Sequence, residues 1–313
     1  MKQKNILMGL ASLAVAAVMG GCLTSCDDKV KPSITDANGD KWQVTSFGGY
    51  YFTYDGDGHL LSIGDKDRTY FMDDDEFSFS AEDVEVKFKL DKNDNIVKIV
   101  YTEENDDEYE AEEGQFDFTY DSDKRLKSCN TVYKETDLKH SETWTFTSTT
   151  NFTWTSNQLT INNEQTVQGH DEGVSVTETE RSTCVYTCNG QPNRSKQLPY
   201  YIGEQMTDLN DFGGMLTVLG LFGFGPDNLP TAYTRTKSHN GKEYSEDNEF
   251  DFVQNANGTL QSESYRYKGS SIWYTKEYIY SRTRADFVAT QSLIDLIRNS
   301  MHQITLKHRE QRQ

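Results

Sequence analysis

Positive charge is scarce in this chain: 31 Lys and Arg stand against 50 Asp and Glu over 313 residues, a formal net charge of −19. That balance excludes free binding to nucleic acid, whose affinity rests on neutralising phosphates, and it excludes electrostatic capture by an anionic bilayer surface. Long apolar runs are scarce as well. Only 35% of the residues are hydrophobic, and nothing beyond the first 25 positions approaches the run of about 20 that a membrane-spanning helix needs. The usual catalytic signatures are missing too. His59, His140, His170, His239, His302 and His308 are scattered, with no His-Glu-x-x-His spacing, no Gly-x-Ser-x-Gly elbow, no phosphate loop and no dinucleotide fingerprint, so no cofactor is implied.

What is present begins with aromatics. Eighteen Tyr, 16 Phe and 4 Trp supply a payload that disordered chains lack. Residues 1–25 read as an export signal, with Lys2 and Lys4 as its charged start and Ile6 to Val18 as an apolar stretch too short to span and stay. Leu23-Thr24-Ser25-Cys26 then resembles the lipobox of bacterial lipoproteins and marks Cys26 for lipidation. Met19-Gly20-Gly21-Cys22 fits less well. Two or more acyl chains on one Cys anchor a protein durably while its body stays in water. Losing the two lysines moves the net charge from −19 to −21. The polar stretch that follows reads as a tether over 26–45.

From there the pattern is β. Tyr50-Tyr51-Phe52-Thr53-Tyr54 runs into Asp55-Gly56-Asp57-Gly58 and then Leu60-Leu61, a strand, a turn that tolerates positive φ, and a strand. The unit recurs at Leu90 to Ile96, Tyr120 to Leu126, Trp154 to Leu159 and Phe252 to Leu260, with a looser copy at Cys184 to Gly190. The last apolar residues before the turns fall at 54, 90, 120, 154 and 186, steps of 36, 30, 34 and 32 residues. Units that small cannot bury a face alone, so the hairpins are expected to pair into one antiparallel repeat sheet over 46–285. The next step, 186 to 252, is twice as long. Met206, Leu209, Phe212, Leu216, Leu219 and Phe222 recur there at helical spacing, which predicts an inserted helix near 204–222 that plugs a sheet face or barrel end, or else serves as a lid. Phe287, Leu293, Ile297, Met301 and Ile304 suggest a second helix within 286–313. The fold class is therefore mainly β, successive hairpins with one inserted α-helix and a C-terminal helix.

The lipobox, the Tyr-Asp-x-x-Gly-x-Leu-like units and the segment Leu219-Gly220-Leu221-Phe222-Gly223-Phe224-Gly225-Pro226-Asp227-Asn228-Leu229-Pro230 together resemble a group of Bacteroidetes lipoproteins described as a domain of unknown function. The hairpin units are also distantly similar to the YD repeats of RHS-type proteins. The resemblance covers about 40–285. It implies a β-sheet body and an outer-membrane location facing the cell surface or the periplasm, and it brings no catalytic residues.

Candidate sites follow from chemistry. Asp55 and Asp57, and Asp91, Asn93 and Asn95, alternate like the start of a calcium loop, but the sixth and twelfth positions that such a loop requires are wrong, so acidic hairpin turns explain them, with calcium in a different geometry as the alternative. The runs Asp73 to Glu76 and Glu103 to Glu113 read as solvated loops or mobile hairpin tips, with loose divalent-cation binding or a docking patch for a basic partner as the alternative. Trp144, Trp154, Trp273 and Tyr274 lie in expected strands, where they either pack or form a platform for a sugar ring. Cys129, Cys184 and Cys188 are an odd set. Cys184 and Cys188 would lie about 13 Å apart on a straight strand, too far to bridge, whereas Cys129 has a partner available in either. These features favour a non-enzymatic binding or structural module held to the membrane by its lipid, contacting a glycan or another envelope protein. The alternative is a polysaccharide hydrolase that uses Asp or Glu.

Overall fold

The computed structural model describes residues 31–65, 69–72, 78–81, 84–105, 110–139, 142–171, 174–204, 210–239 and 242–282. Cys22, Cys26, the export signal, the Asp73 to Glu76 run and the C-terminal segment 286–313 lie outside these residues. The elements are β1 (Ile34–Thr35), β2 (Lys41–Phe47), β3 (Tyr50–Tyr54), β4 (Leu60–Gly64), β5 (Thr69–Met72), β6 (Ser78–Ala81), β7 (Val84–Leu90), β8 (Ile96–Asn105), β9 (Glu110–Tyr120), β10 (Leu126–Asp137), β11 (Glu142–Trp154), β12 (Gln158–Asp171) and β13 (Val174–Thr187), then α1 (Tyr200–Glu204) and α2 (Asn210–Val218), then β14 (Ala232–His239), β15 (Lys242–Gln254), β16 (Leu260–Tyr267) and β17 (Tyr274–Arg282).

Each strand from β2 onward pairs antiparallel with the next, and β17 pairs back onto β2 through Tyr278↔Phe47 and Arg282↔Trp42. Seventeen strands less the short β1, which adds to β2, leave a closed ring of sixteen. The repeat sheet expected from the sequence is thus a meander that closes on itself, which removes the two free edges an open sheet would present. The sheet also begins at Ile34, inside the stretch that reads as a tether.

The repeat owes its form to one five-residue loop. In the loops starting at Asp36, Asp55, Asp91, Asp121 and Asn255, the first residue's N–H donates to the fifth residue's carbonyl, and the fourth residue's N–H donates back to the first. The fourth residue has positive φ in every copy: Gly39, Gly58, Asp94, Lys124 and Gly258. In the four Asp copies the carboxylate accepts the backbone N–H groups two and four residues on, at 2.8 to 3.0 Å. This is the Asx-turn chemistry that makes Asp favourable there. A register shift follows the loop in the copies leading to Leu60, Ile96, Leu126 and Leu260, and each of these residues is fully buried. The acids of these turns are spent on their own backbone, and no group of three His, Cys, Asp or Glu suited to a metal occurs among the described residues.

All five loops lie at one end of the barrel, and the chain between β13 and β14 closes that end from inside. The Tyr200 ring lies 4.9 Å from Phe47 on β2, Phe222 lies 5.1 Å from Phe118 on β9, and Tyr201 lies 4.7 Å from Tyr265 on β16. Ile96 N–H at the start of β8 donates to Leu221 O, and Tyr186 on β13 donates to Tyr201 O. Contacts with strands all round the ring place this segment in the lumen as a plug. Asp227 pins it to the turn before β10, pairing with Arg125 at 2.9 Å and with Lys196 within the plug. Among the described residues its helices are α1 and the nine-residue α2; positions 205–209 of the expected 204–222 helix, with Met206 and Leu209, lie outside them, and α2 ends short of 222 because the chain turns at Gly220, where φ is +77°. Gly214 in α2 is a contact point, since a Cβ there would run into the Tyr200 ring.

The outer wall is polar. On β11, Phe152, Thr150 and Ser148 are buried inside, while Thr153, Asn151, Thr149 and Thr147 alternate outside. On β12 the outward series includes Asn162 and Glu164, and on β13 it includes Thr177, Thr179 and Arg181. Cross-strand pairs cover this surface: Thr149 with Asn130, Thr183 with Asn162, Arg181 with Glu164, Thr119 with Ser128 and Ser264 with Thr275. A lipid-facing barrel needs an outward apolar band about 25 Å tall. On β10 to β13 that surface is mostly hydroxyls, amides and ion pairs, while Tyr51, Val132, Val253 and Ile279 are scattered apolar side chains on the outward face.

Candidate functional site in the barrel lumen

Inside the barrel, burial falls off with distance from the plug. Along the inward face of β13, Tyr186 and Cys184 are buried, Ser182, Glu180, Glu178 and Val176 are half-buried, and Val174 is exposed. The end away from the plug therefore has a solvent-reached inner surface, built from alternate residues of long strands.

That surface has two unlike sides. On β8 to β10 the register sets Glu103, Glu112 and Glu135 side by side, with Tyr101 one step deeper. Like charges in directly opposed positions repel, and the Tyr101 hydroxyl answers by donating to Glu103. Burial and that hydrogen bond hold the Tyr101 phenol well above its ordinary pKa. Nearly halfway round the ring, the register β14 to β17 brings tyrosines together: Tyr265 opposes Tyr274, and Tyr267 opposes Asn248. Tyr265 and Tyr274 stack at 5.1 Å, and Tyr267 meets Tyr265 edge-on at 6.1 Å. Tyr244, Tyr267 and Tyr274 are 57%, 49% and 47% exposed, although they stand on the inward face. Polar groups lie beside them. Arg235 faces Glu246 across β14 and β15, Asn248 donates to Glu246 at 2.8 Å, and Lys237 pairs with Glu180 at 2.7 Å.

The four aromatics singled out in the sequence do not meet. Trp154 is half-buried at the plugged end, where its Nε1–H donates to Leu126 O at 2.7 Å and Arg125 stacks on its ring. Trp144 is also half-buried and fills the space above Gly169 on β12. Trp273 turns to the outside of the wall, where Arg266, ion-paired with Glu249, lies 4.6 Å from its ring. Tyr274 alone joins the lumen cluster. Its companions Tyr265 and Tyr267 were legible as alternation on β16, but only the register shows that they share a face with Tyr244 and Tyr274.

Cys129, Cys184 and Cys188 are free and buried, and burial pushes the Cys188 thiol up to about 11. Glu263 is the carboxylate whose pKa burial raises, to about 7, against the pull of hydrogen bonds from Tyr278 and the Tyr200 and Tyr201 amides. A raised carboxyl suits a general acid, but this one is sealed beneath α1 at 0% exposure, away from any ligand in the lumen.

No family model matches the chain, and no curated protein matches it. Among solved structures it is similar to a porin-like protein from Bacteroides vulgatus ATCC 8482, at 13% identity and a TM-score of 0.47, over 81% of this chain and 99% of that one. It is also similar to a porin-like protein from Bacteroides uniformis ATCC 8492, at 14% identity and a TM-score of 0.44, over 74% of this chain and 88% of that one. The YD-like lipoprotein resemblance draws no support from these comparisons.

Proposed function

We propose that this chain is a non-enzymatic envelope lipoprotein, anchored to the outer membrane through Cys26, whose water-facing barrel is a cup that binds a glycan. The observation that carries the reading is the cluster of exposed tyrosines on an inward face. Side chains that fold into a closed barrel normally fill it, whereas Tyr244, Tyr267 and Tyr274 stand in solvent inside a lumen stopped at its other end. Sugar rings offer flat C–H faces to such rings and hydroxyls to flanking acids and amides, and concave sites with a few placed polar groups are the usual form of a ligand pocket. The lipobox and the polar outward series on β11 to β13 support the anchor, since a barrel body standing in water needs a separate tether to stay beside the membrane.

Two measurements test this. A glycan array probed with the chain from Asp27 onward should return saccharide hits that Tyr267→Ala and Tyr274→Ala weaken at least tenfold; hits unaffected by both changes would place binding elsewhere. Radiolabelled palmitate should enter the full chain and not Cys26→Ala, and equal labelling of the two would remove the anchor.

A further inference from the structure

Among the described residues, Arg235 is a lumen cation with no ion pair. Arg235 alternates with the buried Tyr233 on β14 and so faces inward. Its Nε is buried and donates to nothing, and its guanidinium makes no ion pair among the described residues, although Glu246 stands directly across the strand pair. The nearby Lys237, by contrast, is already spent on Glu180. Beside Arg235 is Asn248, only 8% exposed, whose Nδ2 donates to Glu246 while its Oδ1 has no partner. Buried polar groups are nearly always hydrogen-bonded, and exceptions call for an explanation. Asn248 is the cross-strand partner of Tyr267, and Arg235 lies one strand further on, on the same inward face, across from Glu246.

Resting on the glycan-cup reading, we infer that Arg235 and Asn248 form the floor of a site for a carboxylate-bearing sugar, a uronic-acid-type residue whose ring lies against Tyr267 and Tyr274. A guanidinium offers a planar fork of donors that matches a carboxylate two bonds at a time. The Asn248 amide would meet a neighbouring ring hydroxyl by either end, since a hydroxyl both donates and accepts. Glu180 is neutralised by Lys237, whereas Glu246 keeps its charge under the Asn248 hydrogen bond and competes with the ligand for Arg235, so the preference for acid over ester reads the net of the two. The acidic wall of Glu103, Glu112 and Glu135 stands on the far side of the ring and would orient the carboxylate towards Arg235.

The test is isothermal titration of the chain from Asp27 onward with trigalacturonate and with its methyl ester, which keeps the rings and removes the charge. The acid should bind at least tenfold more tightly than the ester. That ratio should shrink from 50 mM to 500 mM salt, as expected for an ionic contact, and it should fall to near one in Arg235→Gln. Equal affinities in the unaltered protein overturn the carboxylate site while leaving the cup intact, as does a ratio that survives both salt and Arg235→Gln. Should Arg235→Gln not fold, the salt titration on the unaltered chain decides. Absence of any saccharide binding, here and on the array, removes the cup and this site together.

Discussion

Glu263 gives the sharpest handle on how the plug is held. It sits on β16 directly across from Lys276 on β17, fully enclosed, and its Oε1 accepts from the Tyr200 amide at 2.9 Å and from the Tyr278 hydroxyl. Burial raises its pKa from an ordinary 4.5 to about 7, with the Tyr278 hydroxyl, the Tyr200 and Tyr201 amides and the Lys276 charge pulling the other way. A raised folded-state value means that the folded protein holds its proton more tightly than the unfolded chain. The associated stability is complete below about pH 4.5 and is lost as pH rises through about 7. A difference of about 2.5 units corresponds to about 3 kcal/mol. The assay is urea unfolding of the chain from Asp27 onward and of Glu263→Gln at intervals from pH 4.5 to 8.5, read as the difference in stability between them. Asp55, Asp91 and Asp227, whose pKa values are lowered, act below this window and equally in both proteins, so they cancel. The difference should fall by about 3 kcal/mol towards alkaline pH, with Glu263→Gln gaining on the unaltered protein. A flat or rising difference would refute the buried, proton-retaining carboxyl.

Gly214→Ala places a methyl against the Tyr200 ring and should cost roughly 1–3 kcal/mol in thermal unfolding, while Gly56→Ala, with nothing within 4 Å, should stay within about 0.5 kcal/mol. Asp121→Ala removes the acceptor for two backbone N–H groups and should cost about 1 kcal/mol by urea unfolding, with the sheet signal in circular dichroism unchanged. Cys129, Cys184 and Cys188 should resist a thiol reagent in the native chain from Asp27 onward and all three should react in guanidinium; prompt native reaction would contradict their burial.

The hairpin unit was readable because its loop chemistry is local: an Asp that captures its own backbone and a fourth residue at positive φ leave a signature in five residues. The plug was readable as an interruption of the repeat, and its apolar spacing announced a helix. Ring closure was not, because nothing in β2 or β17 alone specifies that Phe47 meets Tyr278 across more than two hundred residues. The lumen cluster was hidden for the same reason. Trp273 and Tyr274 are adjacent in sequence and face opposite sides of the wall, whereas Tyr244 and Tyr274 are far apart in sequence and share one. Arg235 carried no signal of its own, since a lone Arg in a polar strand reads as a solvated residue until the register turns it inward.

The central claim, a water-facing cup with its tyrosine face open to ligand, is tested most directly by nitrating the chain from Asp27 onward with tetranitromethane and mapping modified tyrosines by mass spectrometry, with and without a saccharide hit. Tyr244, Tyr267 and Tyr274 should react, the buried Tyr54, Tyr186 and Tyr200 should not, and saccharide should shield Tyr267 and Tyr274 while leaving the outward Tyr51 as reactive as before. Inert lumen tyrosines, or shielding of Tyr51 in place of Tyr267 and Tyr274, would contradict the account.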